Sequence, residues 1–314
     1  MNNENTQQDV LIVGGGPAGL SAALWCADLG LAVTLLERGS DIGGQLHSIY
    51  NPVENYIGVT APDGREMLSH FRSSVERFSF RRRLNCEVTG LDPNSSHIRL
   101  ADGEEIGFKV LIIATGVRRR VLGVPGEAEY RGKGIIESGA RDKEALAGKR
   151  VLIVGGGDAA VENALMISRY AASVMLVHRR SELSARKEFQ RELRTRTNVE
   201  TIFNSVVTRI IGDAHVSAVE LRDLPSGEVR IQAFDGVLIR IGVVPNTEFV
   251  RDVVDLDDRD YIKVDPTCET NVAGVFAVGD ASNPVSPTIS TAVGTGATAA
   301  KAAHSLIKIK QHGL

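Results

Sequence analysis

The stretch Val10-Leu11-Ile12-Val13-Gly14-Gly15-Gly16-Pro17-Ala18-Gly19 decides the fold. Four apolar residues make a buried strand, and three glycines make a turn. Residues 18–29 then carry apolar side chains at helical spacing as far as Gly30. Residues 32–36 form the next strand, which ends at Glu37. The same unit returns as a strand over 150–154, the turn Gly155-Gly156-Gly157-Asp158-Ala159-Ala160, a helix over 159–170 and a strand over 173–177 ending at His178-Arg179-Arg180. Eighteen residues separate Gly19 from Glu37, and eighteen separate Ala160 from His178. One βαβ unit therefore occurs twice, and its alternation predicts parallel sheets with helices on both faces.

The two copies end differently. In the first, Gly14 allows a tight turn, Gly16 lets a pyrophosphate approach the backbone, and Gly19 lets helix and strand pack closely. The helix opening at Pro17 and Ala18 offers free N–H groups and the positive end of its dipole. Glu37 can accept hydrogen bonds from a ribose diol and would repel a 2′-phosphate. In the second copy, Gly155, Gly157, Asp158 and Ala160 repeat the turn. His178 takes the place of the acid, and Arg179 and Arg180 follow with guanidiniums suited to a phosphate dianion. NADP is expected there, with NADH not excluded. A solvated basic helix start is the alternative, because Arg186, Lys187, Arg191 and Arg194 come next.

Composition narrows the classes. The chain has 314 residues, 32 of them glycine, and a formal net charge of −3, which gives no reason to expect a nucleic-acid partner. The basic runs 81–83 and 118–120 read as solvated faces. Cys26, Cys86 and Cys268 form no CxxC pair, which suits a reducing, cytoplasmic setting. Residues 11–27 are uncharged but broken by glycine, and no run is long enough to span a bilayer. No metal site is indicated. Residues 1–8 are expected to be a loose polar tail. An apolar strand ending in Ala114-Thr115-Gly116 is echoed by residues 275–280. The second dinucleotide domain is therefore expected to be inserted into the first. The α/β chain divides into a first dinucleotide-binding domain over 1–118 and 247–314 and a second over 119–246, joined by crossings at Val117-Arg118 and Val244-Pro245-Asn246.

Several motifs together resemble the low-molecular-weight thioredoxin reductases over nearly the whole chain. They are residues 14–20, Gly43-Gly44-Gln45-Leu46, Val53-Glu54-Asn55-Tyr56, 114–116, 155–162, 178–180 and 274–280. The resemblance implies FAD on the first turn, NADPH on the second, and a homodimer. It places Gly43, Gly44, Gln45, Leu46 and Asn55 along the flavin and Asp280 on the ribityl chain. It also points a helix starting at Thr288-Ile289 toward the flavin pyrimidine. The implied FAD set further takes in Arg38, Val88, Ala114, Thr115, Gly116 and Gly279, and the NADPH set takes in Glu162 and Arg186.

Two departures matter. The family's CxxC dithiol aligns with Ser138 and Arg141, so a local disulfide relay is not expected. Arg141 and Asp142 are the residues left at the catalytic position, and Ser138 is expected to cap a helix there. A third arginine of the NADPH clamp is replaced by Ser184. Arg186 lies two residues on, about 200° around a helix. The thioredoxin-reductase-like ferredoxin or flavodoxin NADP reductases also lack the dithiol and are partly similar, but no aromatic residue follows Phe276 here. The expected activity is transfer of electrons from NADPH through FAD to an unidentified acceptor, with a ferredoxin or flavodoxin as the candidate. A nucleotide sensor without turnover, and a reductase acting on partner disulfides, fit the same residues.

Overall fold

The computed structural model describes residues 8–312. In chain order it runs β1 (Gln8–Val13), α1 (Pro17–Asp28), β2 (Val33–Leu36), α2 (Gly64–Val75), β3 (Arg81–Arg83), β4 (Val88–Asp92), β5 (His97–Leu100) and β6 (Glu105–Ile113). After β7 (Val117–Arg119) come β8 (Ile135–Ile136), α3 (Gly139–Asp142), β9 (Arg150–Val154), α4 (Asp158–Ile167), β10 (Ser173–Val177), α5 (Lys187–Leu193) and β11 (Val199–Ile202). Strands β12 (Ser205–Gly212), β13 (Val216–Asp223), β14 (Val229–Ala233), β15 (Gly236–Ile239), β16 (Val243–Pro245) and β17 (Val275–Ala277) precede α6 (Ile289–His312). Two units result: one joins residues up to Arg118 with those from Val244 onward, and the other is Arg119–Val243. Of the expected polar tail, Gln8 is instead the first residue of β1; residues 1–7 lie outside the described residues.

In the first unit, β3, β2, β1, β6 and β17 pair in parallel. The nine-residue β6 serves two ladders. Its C-terminal half pairs with β1 and β17, and its N-terminal half pairs antiparallel with β5. Side chains alternate faces at period two. Val10, Ile12, Leu35, Ile112 and Phe276 face α1 and α6, while Leu11, Leu36, Leu111, Ile113 and Val275 meet Ile98, Phe108, Val250 and Ile262. The helices α1 and α6 approach closely because small residues line the contact. A Cβ on Gly296 would lie 2.3 Å from the Ala18 carbonyl oxygen.

In the second unit, β11, β10, β9, β15 and β8 form an all-parallel sheet. Helices cover one face only. There, Val151, Ile153, Val174 and Leu176 pack on Val161, Ala164, Ile167 and Leu193. The other face is covered by the antiparallel sheet β12-β13-β14, through Val207, Ile210, Val219 and Leu221. This corrects the expectation of helices on both faces. The apolar alternation that builds this cover is obscured in the sequence, because the register shifts between Val207 and Arg209. Element ends also move: α4 stops at Ile167, and the Tyr170 N–H turns back to the Ile167 carbonyl. The chain leaves and re-enters the first unit through β7 and β16, which pair as a two-stranded ladder.

Phe276 is among the largest fully buried side chains. Phe276→Ala is expected to cost about 3–5 kcal/mol, measured by urea denaturation. Ile231→Ala, on the exposed strand β14, is expected to stay within about 0.5 kcal/mol.

Candidate active site: two phosphate-binding turns

The helices that follow the glycine turns differ from α2 and α3. α2 is capped by the Asp63 carboxylate, which accepts from the Glu66 N–H, and α3 by Ser138, whose Oγ accepts from the Arg141 N–H at 3.4 Å. α1 begins after Gly16 and α4 after Gly157, and neither has a side-chain cap. α5 has no side-chain cap either, but only α1 and α4 start at a glycine turn, where their first-turn N–H groups can meet an external anion. The turns feeding them need glycine. Gly14 has φ +110, and a Cβ there would stand 2.4 Å from the Ala114 carbonyl oxygen; Gly155 has φ +147, and its Cβ would stand 2.1 Å from the Arg240 carbonyl oxygen.

In the first unit a cavity of about 780 Å³ opens over α1's start. Gly14, Gly16, Pro17, Ala18, Glu37, Arg38, Gly44, Gln45, Leu46, Val88, Ala114, Thr115, Gly116, Asp280, Thr288 and Ile289 all line it. The Glu37 carboxylate is fixed in place: Oε2 accepts from the Gly15 N–H and Oε1 from the Gly39 N–H, each at 2.7 Å. The Asp280 carboxyl is pushed up by burial, partly offset by the Gln45 amide, which donates to it at 3.0 Å. Gly19, Gly43 and Gly279 lie behind the lining. A Cβ on Gly19 would meet the Gly14 carbonyl oxygen at 1.9 Å, and the Gly43 N–H donates to the Gly15 carbonyl at 2.8 Å. Asn55 is exposed and not in the lining. The lining also holds His47, Ser48, Ile49, Cys86, Asn246 and Glu248, which the motifs did not single out. The first three continue the Gly44–Ser48 turn. Asn246 and Glu248 arrive from the far end of the chain and are held by the Arg118 guanidinium.

In the second unit His178 is 9% exposed, and its ring packs on Gly156. Its Nε2 has no hydrogen-bond partner among the described residues. Burial, then Arg180 and Arg179, hold its pKa below the ordinary histidine value. The Arg179 and Arg180 side chains are exposed at the end of β10, and neither joins an ion pair among the described residues. Arg186 is differently placed. Its Nε lies 2.9 Å from Asp158 Oδ2, its N–H donates to Asp158 Oδ1 at 2.7 Å, and its guanidinium stacks 4.3 Å from the Phe189 ring centre. The Ser184 hydroxyl donates to the Gly156 carbonyl at 3.3 Å, while Glu162 is exposed on α4.

At the α3 turn, Arg141 Nε and Nη2 donate to Asp142 at 2.6 and 3.0 Å. Burial pushes the Asp142 carboxyl up, but the bonds from Arg141 and the Ser138 N–H outweigh it and hold the pKa below the usual range. Cys26 and Cys268 are buried, with burial pushing their thiols up to about 12 and about 11. Such thiols stay protonated and unreactive. The three cysteines are all free, and no group of three or more metal-ligating side chains occurs among the described residues.

These turns define a protein that holds two dinucleotides. A family model for pyridine nucleotide-disulphide oxidoreductases matches residues 8–297, and the chain belongs to that family. Thioredoxin reductase from Lactococcus lactis is 36% identical, with a TM-score of 0.81 over 95% of this chain and 98% of that one. The T. acidophilum thioredoxin reductase is 34% identical, with a TM-score of 0.79 over the same shares. One of the subunits of the alkyl hydroperoxide reductase of Staphylococcus aureus (strain Mu50 / ATCC 700699) is 34% identical over 294 residues, 93% of this chain and 57% of the relative. The chain thus spans little more than half of that relative's length. Its fold is of thioredoxin-reductase type. No helix among the described residues is long and apolar enough to cross a membrane.

Gly19→Ala forces a methyl group into the Gly14 carbonyl and is expected to yield protein without bound flavin, read from the visible absorbance of the purified chain. Gly294→Ala, with nothing within 4 Å of the new carbon, is expected to keep it. The depressed folded pKa of His178 means that the unfolded chain binds the extra proton as pH falls below about 6.5. Thermal stability is therefore expected to be full above that pH and to decline below it. His178→Asn is expected to flatten that decline between pH 7 and 5.

Proposed function

We propose that the chain carries electrons from NADPH through FAD to an external acceptor without a disulfide of its own. The carrying observation is the pair of uncapped helices with contrasting strand ends: Glu37 on one, and Arg179 with Arg180 on the other. In this reading the unit built from the two chain ends is the FAD domain, and the unit over Arg119–Val243 is the NAD(P)H domain. The FAD pyrophosphate would lie at Gly14, Gly16 and α1's start, its ribose at Glu37, its ribityl chain at Asp280, and its flavin near Gln45 and α6's N-terminus. The volume of about 780 Å³ and the lining of the first cavity support that placement. NADPH would lie on Gly155, Gly157 and α4's start, with its 2′-phosphate on Arg179 and Arg180. When bound, FAD would supply the capacity to take up an electron pair from a nicotinamide and to release electrons singly or together. The residues lining the first cavity would hold the flavin, and the positive end of α6 would favour negative charge on it when reduced.

Ser138 and Arg141 stand where the family's two cysteines align. A hydroxyl and a guanidinium cannot accept electrons. Arg141 instead closes on Asp142, a pair that serves the α3 turn. The acceptor class this supports is a one-electron protein carrier, a ferredoxin or flavodoxin, met by a cytoplasmic homodimer.

Rapid mixing of oxidised holoprotein with NADPH is expected to bleach the flavin band on a turnover timescale. The reduced protein is expected to be reoxidised by ferredoxin or flavodoxin and not by thioredoxin. The double variant Arg179→Gln, Arg180→Gln is expected to raise KM for NADPH by about tenfold or more and to leave that for NADH nearly unchanged. Absence of bleaching, or reoxidation by thioredoxin, contradicts the proposal.

A further inference from the structure

Arg240 follows β15 directly, beside the second phosphate turn, where its carbonyl forces glycine at position 155. Its side chain stays within the Arg119–Val243 unit. Nη1 donates to the Ile239 carbonyl and Nη2 to the Glu137 carbonyl, each at 2.9 Å. Arg119 reaches the same Glu137 carbonyl, with Nη1 donating at 2.5 Å. Two guanidiniums thus share one neutral acceptor. The Glu137 carboxylate lies 3.9 Å from Arg119 and is half exposed. No carboxylate lies within 4.0 Å of Arg240 among the described residues. Burial, and then the neighbouring Arg119, push the Arg240 pKa down to about 10. The Glu137 carboxylate offsets this only in part and forms no ion pair with Arg240, and a part-buried cation so placed gains from a further anion.

The location is where such a partner would come. Glu137 follows β8 and Arg240 follows β15, so both lie at the carboxyl ends of adjacent parallel strands. The sheet order β11-β10-β9-β15-β8 reverses direction between β9 and β15. Open α/β sheets bind ligands in the crevice at that reversal. Each guanidinium carries five N–H donors, and the three protein bonds occupy few of them. Arg179 and Arg180 end β10, two strands from β15, which is roughly 10 Å away at the usual strand spacing.

We propose that Arg119 and Arg240 form an oxyanion-binding subsite at the carboxyl ends of β8 and β15, distinct from the Arg179–Arg180 pair. Its ligand is a phosphate or carboxylate group presenting two or more charged oxygens to the two planar donors. That group belongs either to the pyrophosphate of the nicotinamide dinucleotide or to an acidic acceptor molecule. The first source rests on the function proposed above; the subsite itself does not.

Isothermal titration of inorganic pyrophosphate into the FAD-loaded full chain tests it. Arg240→Gln and Arg119→Gln are each expected to weaken binding by about tenfold or more. Arg240→Lys should keep part of the affinity, and the double variant Arg179→Gln, Arg180→Gln should bind within about twofold of wild type. Arg119 lies on the β7 crossing strand and is part exposed, so its variant reads the subsite even if Arg240→Gln folds poorly. Failure of the wild type to bind millimolar pyrophosphate overturns the proposal. So does unchanged binding in Arg119→Gln, or loss of binding in the Arg179, Arg180 variant. Two further arms separate the sources. A parallel loss of NADPH affinity in Arg240→Gln assigns the dinucleotide. A raised KM for ferricyanide, with NADPH affinity and the KM for a neutral quinone unchanged, assigns the acceptor. Arginine-dependent pyrophosphate binding in a chain whose flavin NADPH does not reduce keeps the subsite and sinks the electron-transfer reading.

Discussion

The N–H groups at the starts of α1 and α4 have no side chain to satisfy them. A helix start facing a cavity in that condition needs a partner from outside, and an anion is the partner its dipole favours. The rest of each unit is arranged to keep those starts open. Gly14 and Gly155 adopt backbone angles that side chains rarely tolerate, and each presses against a neighbouring carbonyl that leaves no room for a Cβ. Gly43 then hydrogen-bonds back onto the first turn, and Glu37 is pinned by two backbone N–H groups. Protein hydrogen bonds thus fix both the turn and the carboxylate.

Function follows from what differs between the two copies. The first has a fixed carboxylate at its strand end and a cavity over the turn. The second has a buried histidine whose ring lies on the turn, followed by two exposed arginines. The cysteines do not enter this scheme. Two are buried with thiols that resist ionisation, and the third lines the cavity far along the chain from the α3 turn. α3 carries an Arg141–Asp142 ion pair under a serine cap.

The repeated βαβ unit was legible because a strand, a glycine turn and an apolar helix stand in immediate succession twice, each with its acidic or basic ending at a fixed distance. Such local patterns survive without tertiary knowledge. The antiparallel cover of the second unit was not legible. The irregularity at Val207–Arg209 breaks the alternation that would have announced it. Nor could the sequence show that Arg186 is committed to Asp158, 28 residues away, or that Arg240 and Arg119 meet on one carbonyl. Those contacts depend on which strand ends become neighbours, and the sheet order sets that. Asn55 shows the reverse case: its motif resembles a flavin-side loop, yet the side chain is exposed and off the cavity wall.

The central claim is that no protein thiol stores electrons between the nicotinamide and the acceptor. Anaerobic titration of the purified FAD-loaded chain with dithionite tests this most directly, because it counts electrons per flavin. The account predicts full reduction at two electrons for each FAD. Uptake of four, with the second pair entering a disulfide, would contradict it.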